Sequence, residues 1–301
     1  MKKITFVFVF LFVLVISCKT KENVLKNTEK KELNYIPYYL KVYEADSLYL
    51  VNDFEGSYRI LDSLFKIFPP VNLNIYNEVL TYVKLKVILK KKTGDTEMFK
   101  LINTYGYNKE FLANDSILKL SRKQNLLLSN YEQQRGKYLK KINIDLRNEI
   151  KAMKFQDQFY RTSDYKSNID KQTTIDIKNQ KRLMEIFHTH GFPNHKIIGG
   201  YDIDNSNADI TVILLHTKDT VRKEYFMPKV LEYIKKGEAS PELYANLYDQ
   251  FLLYNGQEQY YGSYENKVEI SINELNKRRK EIGLPNYGYL KWRMSKLYPD
   301  E

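Results

Sequence analysis

The chain carries one cysteine, Cys18, and only four histidines in 301 residues. One cysteine cannot close an intramolecular disulfide, and it excludes any zinc site built on several thiolates. His188 and His190 lie two apart with His195 just beyond. Zinc needs three or four ligands in fixed geometry, and histidines ending a helix are also favoured there by its dipole. No metal and no cofactor are assigned on these residues. Also missing are a P-loop, a Gly-x-Ser-x-Gly elbow, a His-Glu-x-x-His pair and a dinucleotide-binding glycine fingerprint. Gly199-Gly200 reads as a turn. Nothing has the pattern of an RNP, zinc-finger or helix-turn-helix element. No apolar run reaches the 18 or more residues that span a bilayer as a helix.

The longest apolar run is Ile4 to Ile16, interrupted only by Thr5 and preceded by Lys2 and Lys3. Its length and flanks suit a signal peptide. It ends in Val15-Ile16-Ser17-Cys18, which resembles the bacterial lipobox. The resemblance implies cleavage after residue 17 and a lipid on Cys18, and so a partner in the membrane itself. Residues 18–34 are polar, with no aromatic before Tyr35, and read as a flexible tether. The expected location is the cell envelope, on the outer membrane, facing the periplasm or the exterior.

A formal net charge of +11 raises the question of nucleic acid. The distribution argues against it. Residues 151–301 hold 23 basic against 21 acidic side chains, so the excess lies in the tether and first half. Lysines beside a lipid anchor favour an anionic membrane surface instead. No nucleic-acid partner is expected.

From Tyr38 to Pro70 apolar residues recur at helical spacing, break at Asn52-Asp53, resume at Phe54 and stop at Pro69-Pro70. This spacing predicts a helical hairpin. Ala45, Leu48, Phe54, Ser57, Leu61, Leu64 and Pro69 give it a resemblance to a tetratricopeptide repeat, with small residues at the helix crossing. A second hairpin follows in residues 75–107, turning at Thr93-Gly94-Asp95 and ending at Gly106, then a divergent tail with Asp115 as a cap. The resemblance implies a groove that binds a segment of another envelope protein.

In the second half the pattern predicts a long helix over Asn130–Arg161, with Asp157 and Arg161 paired four apart. Further helices are expected at about 175–190, 220–236 and 273–282, with Ser240-Pro241 opening another. Asn205 or Ser206 is expected to cap the segment NADITVILLHTKD, whose ITVILL core has strand propensity.

The order of Gly191 and Pro193, His216, Gly237-Glu238, Asp249, Gly256, Gln259, Tyr261-Gly262, Arg279 and Gly283-Leu284, with Asp157, Gln158 and Arg161 ahead of them, resembles the domain-of-unknown-function family 6624 over about residues 140 to 290. The resemblance makes ITVILLH helical and brings no activity with it. Leu215 stands where that family has Gln, Gln250 where it has Arg, and Ser263-Tyr264 where it has Thr-Gln.

The loop NGQEQYYGSY, 255 to 264, has two readings. In one it is a turn and short hairpin whose polar groups bond neighbouring helix ends. In the other, Asp157, Gln158, Arg161, His216, Asp249, Gln259 and Tyr261 form a ligand site, where a carboxylate and an imidazole could do acid–base work.

The expected chain is mainly α: signal peptide 1–17, lipidated Cys18 and tether 18–34, tetratricopeptide-like region 35–130, and a helical domain 131–301 with at most a short β-hairpin. The leading expectation is a binding or scaffolding lipoprotein rather than an enzyme. The alternative is a small-ligand binder or hydrolase-like enzyme.

Overall fold

The computed structural model describes residues 33–161, 165–264 and 268–299. Cys18, the signal segment and most of the tether fall outside the described residues. Among those described there is no strand, and no helix is long and apolar enough to cross a membrane.

The fold is all α. It opens with α1 (Ile36–Leu50), α2 (Phe54–Ile67), α3 (Glu78–Ile88) and α4 (Asp95–Asn103). Short helices α5 (Lys109–Asn114) and α6 (Gln124–Ser129) lead to α7 (Tyr131–Leu139), α8 (Ile144–Phe159) and α9 (Ile169–His190). Then come α10 (His195–Ile198), α11 (Thr211–Leu215), α12 (Asp219–Val221), α13 (Met227–Lys236), α14 (Pro241–Tyr254), α15 (Ile272–Glu281) and α16 (Tyr289–Leu297).

Local chemistry sets most boundaries. Asp53 accepts from Gly56 N and starts α2, while Pro69-Pro70 follows its end. Ser57 Oγ donates to Ala45 O at 2.8 Å and both residues are fully buried, so small side chains bring α1 and α2 close. Asp115 Oδ1 accepts from Ile117 and Leu118 N, and Ser240 Oγ from Leu243 N.

Three expectations need correction. The helix read over 130–161 is two helices, because Asn143 caps a new start by accepting from Leu146 N. The N-cap position of α11 is Ile210, not Asn205 or Ser206; Asp209 Oδ1, one residue earlier, accepts from Thr211 N, while Ser206 Oγ donates to Asp204. The segment 219–236 contains a π-helical turn at Arg222–Phe226, just ahead of Pro228, whose missing N–H leaves a carbonyl one turn back without its usual donor. ITVILL is helical in α11, as the resemblance implied, against its strand propensity.

Residues 33–301 form one compact unit. Its main core joins Tyr38, Tyr39 and Val42 of α1 to Leu183 and Ile186 of α9, Leu214 of α11, Val230 and Ile234 of α13 and Leu247 of α14. Tyr39 Oη lies between the carbonyls of Ile234 (3.1 Å) and Ala239 (2.9 Å), and Tyr35 N donates to Lys235 O. A second core gathers Val79, Leu80 and Val83 of α3, Leu101 and Ile102 of α4, and Leu112, Leu118 and Leu127.

Candidate functional site

Asp157 sits on the last turn of α8 and is fully buried. Its Oδ2 lies 2.8 Å from His216 Nδ1, just past α11, and accepts from Gln158 Nε2 at 2.6 Å. A carboxylate only accepts, so His216 Nδ1 is the donor in this pair. The expected Asp157–Arg161 pair is looser, at 3.7 Å, because Arg161 forks onto Asp176 at 3.1 and 2.7 Å. Gln172 Nε2 completes the cluster by donating to Asp157 O and Asp176 Oδ1. Asp157 Oδ1 is buried with no hydrogen-bond partner. The pair thus supplies an oriented imidazole, its side chain 25% exposed, backed by a buried carboxylate.

Asp249 is used differently. It is fully buried on α14, and the loop that follows wraps around its carboxylate. Oδ1 accepts from Tyr260 N (2.8 Å) and Tyr261 N (3.0 Å); Oδ2 accepts from Ser263 N (2.9 Å) and Oγ (2.8 Å). Gln259 Oε1 accepts from Tyr264 N at 2.7 Å. Tyr261 packs its ring between Tyr244 and Tyr248, and burial raises its hydroxyl pKa. Arg279 of α15 reaches back to Tyr261 O (2.7 Å) and Pro285 O (2.8 Å). Gly262 has φ +62, and a Cβ there would meet Tyr287 at 3.1 Å and Val268 at 3.2 Å. The loop of glutamines, tyrosines and glycines is therefore a collar closed on one carboxylate. No strand pairing is present in its described part.

The structure thus brings Asp157, Gln158, Arg161 and His216 together, and Asp249, Gln259 and Tyr261 together, as two networks. Arg222, in the π-helical turn, joins them. It is fully buried and donates to Leu215 O, Asp219 and Gln250 Oε1, the last at 2.7 Å, which ties the residue before His216 to the one after Asp249. The signal for Arg222 was a lone cation on the apolar side of a helix, which periodicity alone treats as an exposed interruption.

A cavity of about 770 Å³ opens elsewhere, and none of those seven residues lines it. Its walls are the 71–77 loop, residues 105–111, the 192–202 turn, residues 207–211 and the start of α14. The first wall is fixed by Glu78, a buried carboxylate that accepts from Tyr38 Oη (2.6 Å), Asn72 N (2.5 Å) and Leu73 N (2.8 Å). Burial raises its pKa despite those bonds. Asn72 and Asn77 adopt left-handed backbone angles, φ +66 and +49, and the Tyr107 hydroxyl sits between their Oδ1 atoms. Non-glycine residues held in that region are strained and cluster at sites of use. In the 192–202 turn, burial and the Lys196 charge depress His195 from 6.5 to about 4, so its ring is neutral at physiological pH. Its Nε2 is buried without a partner. Sequence reasoning missed this site because its walls come from several separate segments, Tyr138 of α7 among them.

His188 and His190 are exposed on the last turn of α9. Among the described residues no group of three or more His, Cys, Asp or Glu is placed to hold a metal ion. No family model, curated protein or solved structure matches the chain.

Proposed function

We propose that the protein is a small-ligand-binding module of the cell envelope, tethered by a lipid on Cys18. The observation that carries this reading is the cavity of about 770 Å³, within the range of sites that enclose metabolite-sized ligands. The tetratricopeptide-like expectation pointed to a groove for a protein segment in residues 35–130. What that region lines here is a concavity of mixed character, with Asn72, Asn74, Asn77 and Asn108 set among Val71, Leu73, Ile75 and Phe111, which favours a small molecule with both polar and apolar parts. Catalysis is not part of the proposal: the networks at Asp157 and Asp249 bind their own chain, and neither lines the cavity.

Gly200 lines the cavity in an extended conformation, and a Cβ there meets nothing within 4 Å. Gly200→Trp therefore fills the space without straining the backbone. A metabolite library is screened by thermal shift against wild type and Gly200→Trp. Ligands of the cavity raise the melting temperature of wild type alone, because binding to the folded state stabilises by about 2.7 kcal/mol at a hundredfold excess over Kd. Hits that stabilise both proteins equally, or a library with no hits, would sink the proposal.

A further inference from the structure

Large apolar side chains left in water are scattered over the described chain, except at one place. Tyr287, Leu290, Met294, Leu297 and Tyr298 are each at least 40% exposed, five within twelve residues, and no other described stretch of that length holds more than two. Clustered exposure marks a contact surface, whereas a single exposed apolar residue needs no explanation. The cluster lies on α16, which is firmly attached by its other side. Tyr289 Oη donates to the buried Asp46 Oδ2 at 2.8 Å; Arg293 donates from Nε to the same oxygen and from Nη2 to Ile75 O, both at 2.9 Å. These bonds fix α16 to α1 and leave Leu290, Met294 and Leu297, spaced four and three apart, as one stripe turned to solvent.

The same segment gathers the basic charge of the second half. Residues 272–298 hold seven Lys and Arg against two acids, Glu274 and Glu281, which leaves 16 basic against 19 acidic in the rest of residues 151–301. The three arginines are engaged inside the protein: Arg278 with Glu274, Arg279 with the carbonyls of Tyr261 and Pro285, and Arg293 with Asp46. Lys277, Lys280, Lys291 and Lys296 are exposed, with no acidic partner among the described residues. Lys291 borders the apolar stripe, about 60° round the helix from Met294. Lys280 stands one turn beyond Asn276, whose Oδ1 accepts from Tyr287 N at 2.7 Å. Charges are screened over about 10 Å at 0.1 M salt, which is close to the width of a helix, so lysines on any side of α16 act on the same surface.

We infer that α16 rests on an anionic bilayer surface, with Leu290, Met294 and Leu297 at the boundary of headgroups and acyl chains and the lysines around them facing lipid phosphates. The proposed lipid on Cys18 brings the bilayer within reach. Fourteen residues separate Cys18 from Leu33, and a chain of that length spans roughly 50 Å at most. The inference rests on that anchor only for the nearness of a bilayer, and its test leaves the anchor out. A second copy of the chain fits the face less well. A stable dimer buries about 800 Å² on each partner, more than three side chains on a helix about 13 Å long present, and lysine is depleted from such interfaces.

The test uses the chain from residue 18 onward with Cys18→Ser, which keeps all of the compact unit 33–301 and removes the anchor. Co-sedimentation measures its binding to vesicles of phosphatidylcholine alone and of phosphatidylcholine with about 30% phosphatidylglycerol. The unsubstituted α16 should bind the anionic vesicles at least about tenfold more strongly, and high salt should remove the preference. Leu290→Asn with Met294→Asn should weaken binding to the anionic vesicles at least about tenfold through lost apolar burial. Lys280→Gln with Lys291→Gln should weaken it by at least about tenfold, at a factor of about five for each lysine, and leave binding to neutral vesicles unchanged. Leu120→Asn, at an apolar side chain 76% exposed and outside α16, should change binding by less than about twofold. The comparison of the two vesicle types needs no α16 variant to fold. Protein left in the supernatant with anionic vesicles would overturn the inference, as would binding that survives both α16 pairs of substitutions. Self-association in analytical ultracentrifugation, lost in Leu290→Asn with Met294→Asn and unaccompanied by vesicle binding, would assign the face to a second copy and overturn it too. None of these failures touches the proposed lipid on Cys18, which the mass of the N-terminal peptide of the native protein reads separately.

Discussion

Replacing Asp249 by alanine tests whether the collar is architecture. The carboxylate accepts three backbone N–H groups and one hydroxyl. Leaving a buried donor unsatisfied costs about 1–3 kcal/mol. The four losses do not simply add. Tyr260 and Ser263 are only partly buried and can regain water, and Ser263 Oγ already lies 3.3 Å from Ala245 O. Tyr261 N is the buried donor that stays orphaned. The expected loss for Asp249→Ala is therefore about 2–4 kcal/mol, the full penalty at Tyr261 plus fractions elsewhere. In a chain of this size that lowers the melting temperature by roughly 5–10 °C. Asp249→Asn keeps one acceptor oxygen but turns an amide donor toward N–H groups, so it should recover less than half. Urea unfolding measures both, with the midpoint shifting at constant slope. A loss below about 1 kcal/mol for Asp249→Ala, or an Asn variant equal to wild type, would refute the idea that this carboxylate holds the loop.

At the other network, Asp157→Ala should cost about 2–3 kcal/mol, because it strands Gln158 and His216 and removes the carboxylate beside Arg161. His216→Ala should cost only about 1 kcal/mol, because Gln158 still bonds the carboxylate; equal losses in denaturant titrations would contradict this ordering. Gly237→Ala places a Cβ 2.8 Å from the Tyr35 ring at φ +75, and should lower stability by about 2 kcal/mol or more, whereas Gly94→Ala, with nothing within 4 Å, should be near neutral. His195 gives a pH signature. Its folded pKa of about 4 lies below the ordinary 6.5, so between those values the unfolded chain binds more protons and stability falls as pH falls. The raised carboxyls of Glu78 and Glu242 work in the opposite direction, but equally in wild type and in His195→Gln. The stability advantage of wild type over His195→Gln should therefore shrink by about 1–3 kcal/mol between pH 7 and pH 4.5, and a constant difference would mean the imidazole is not held neutral.

Local signals in the sequence determined much of this protein. The break at Asn52-Asp53, the stop at Pro69-Pro70, the Ser240-Pro241 start and the cap at Asp115 all act within four residues of chain. Each was legible because its hydrogen-bond partners are sequence neighbours. The small residues Ala45 and Ser57 marked a close helix crossing for a similar reason, since period and residue size are both written in the sequence. The pairing of His216 with Asp157 was half legible: both were singled out as polar residues, but 59 positions separate them, and only the folding of α11 against α8 makes them partners. Asp249 and its loop were named as one constellation, yet whether its atoms faced a ligand or their own backbone was decided by geometry. The break at Asn143 was hidden because apolar spacing ran on across it. Arg222 was hidden because a buried cation looks like an exposed one until its three acceptors are in place. The cavity was least legible of all. It is a space lined by side chains from several distant segments, and no short pattern specifies such a volume. Asp202, Asp209, Glu238 and Glu242 came to line the same space only when tertiary packing brought their segments together.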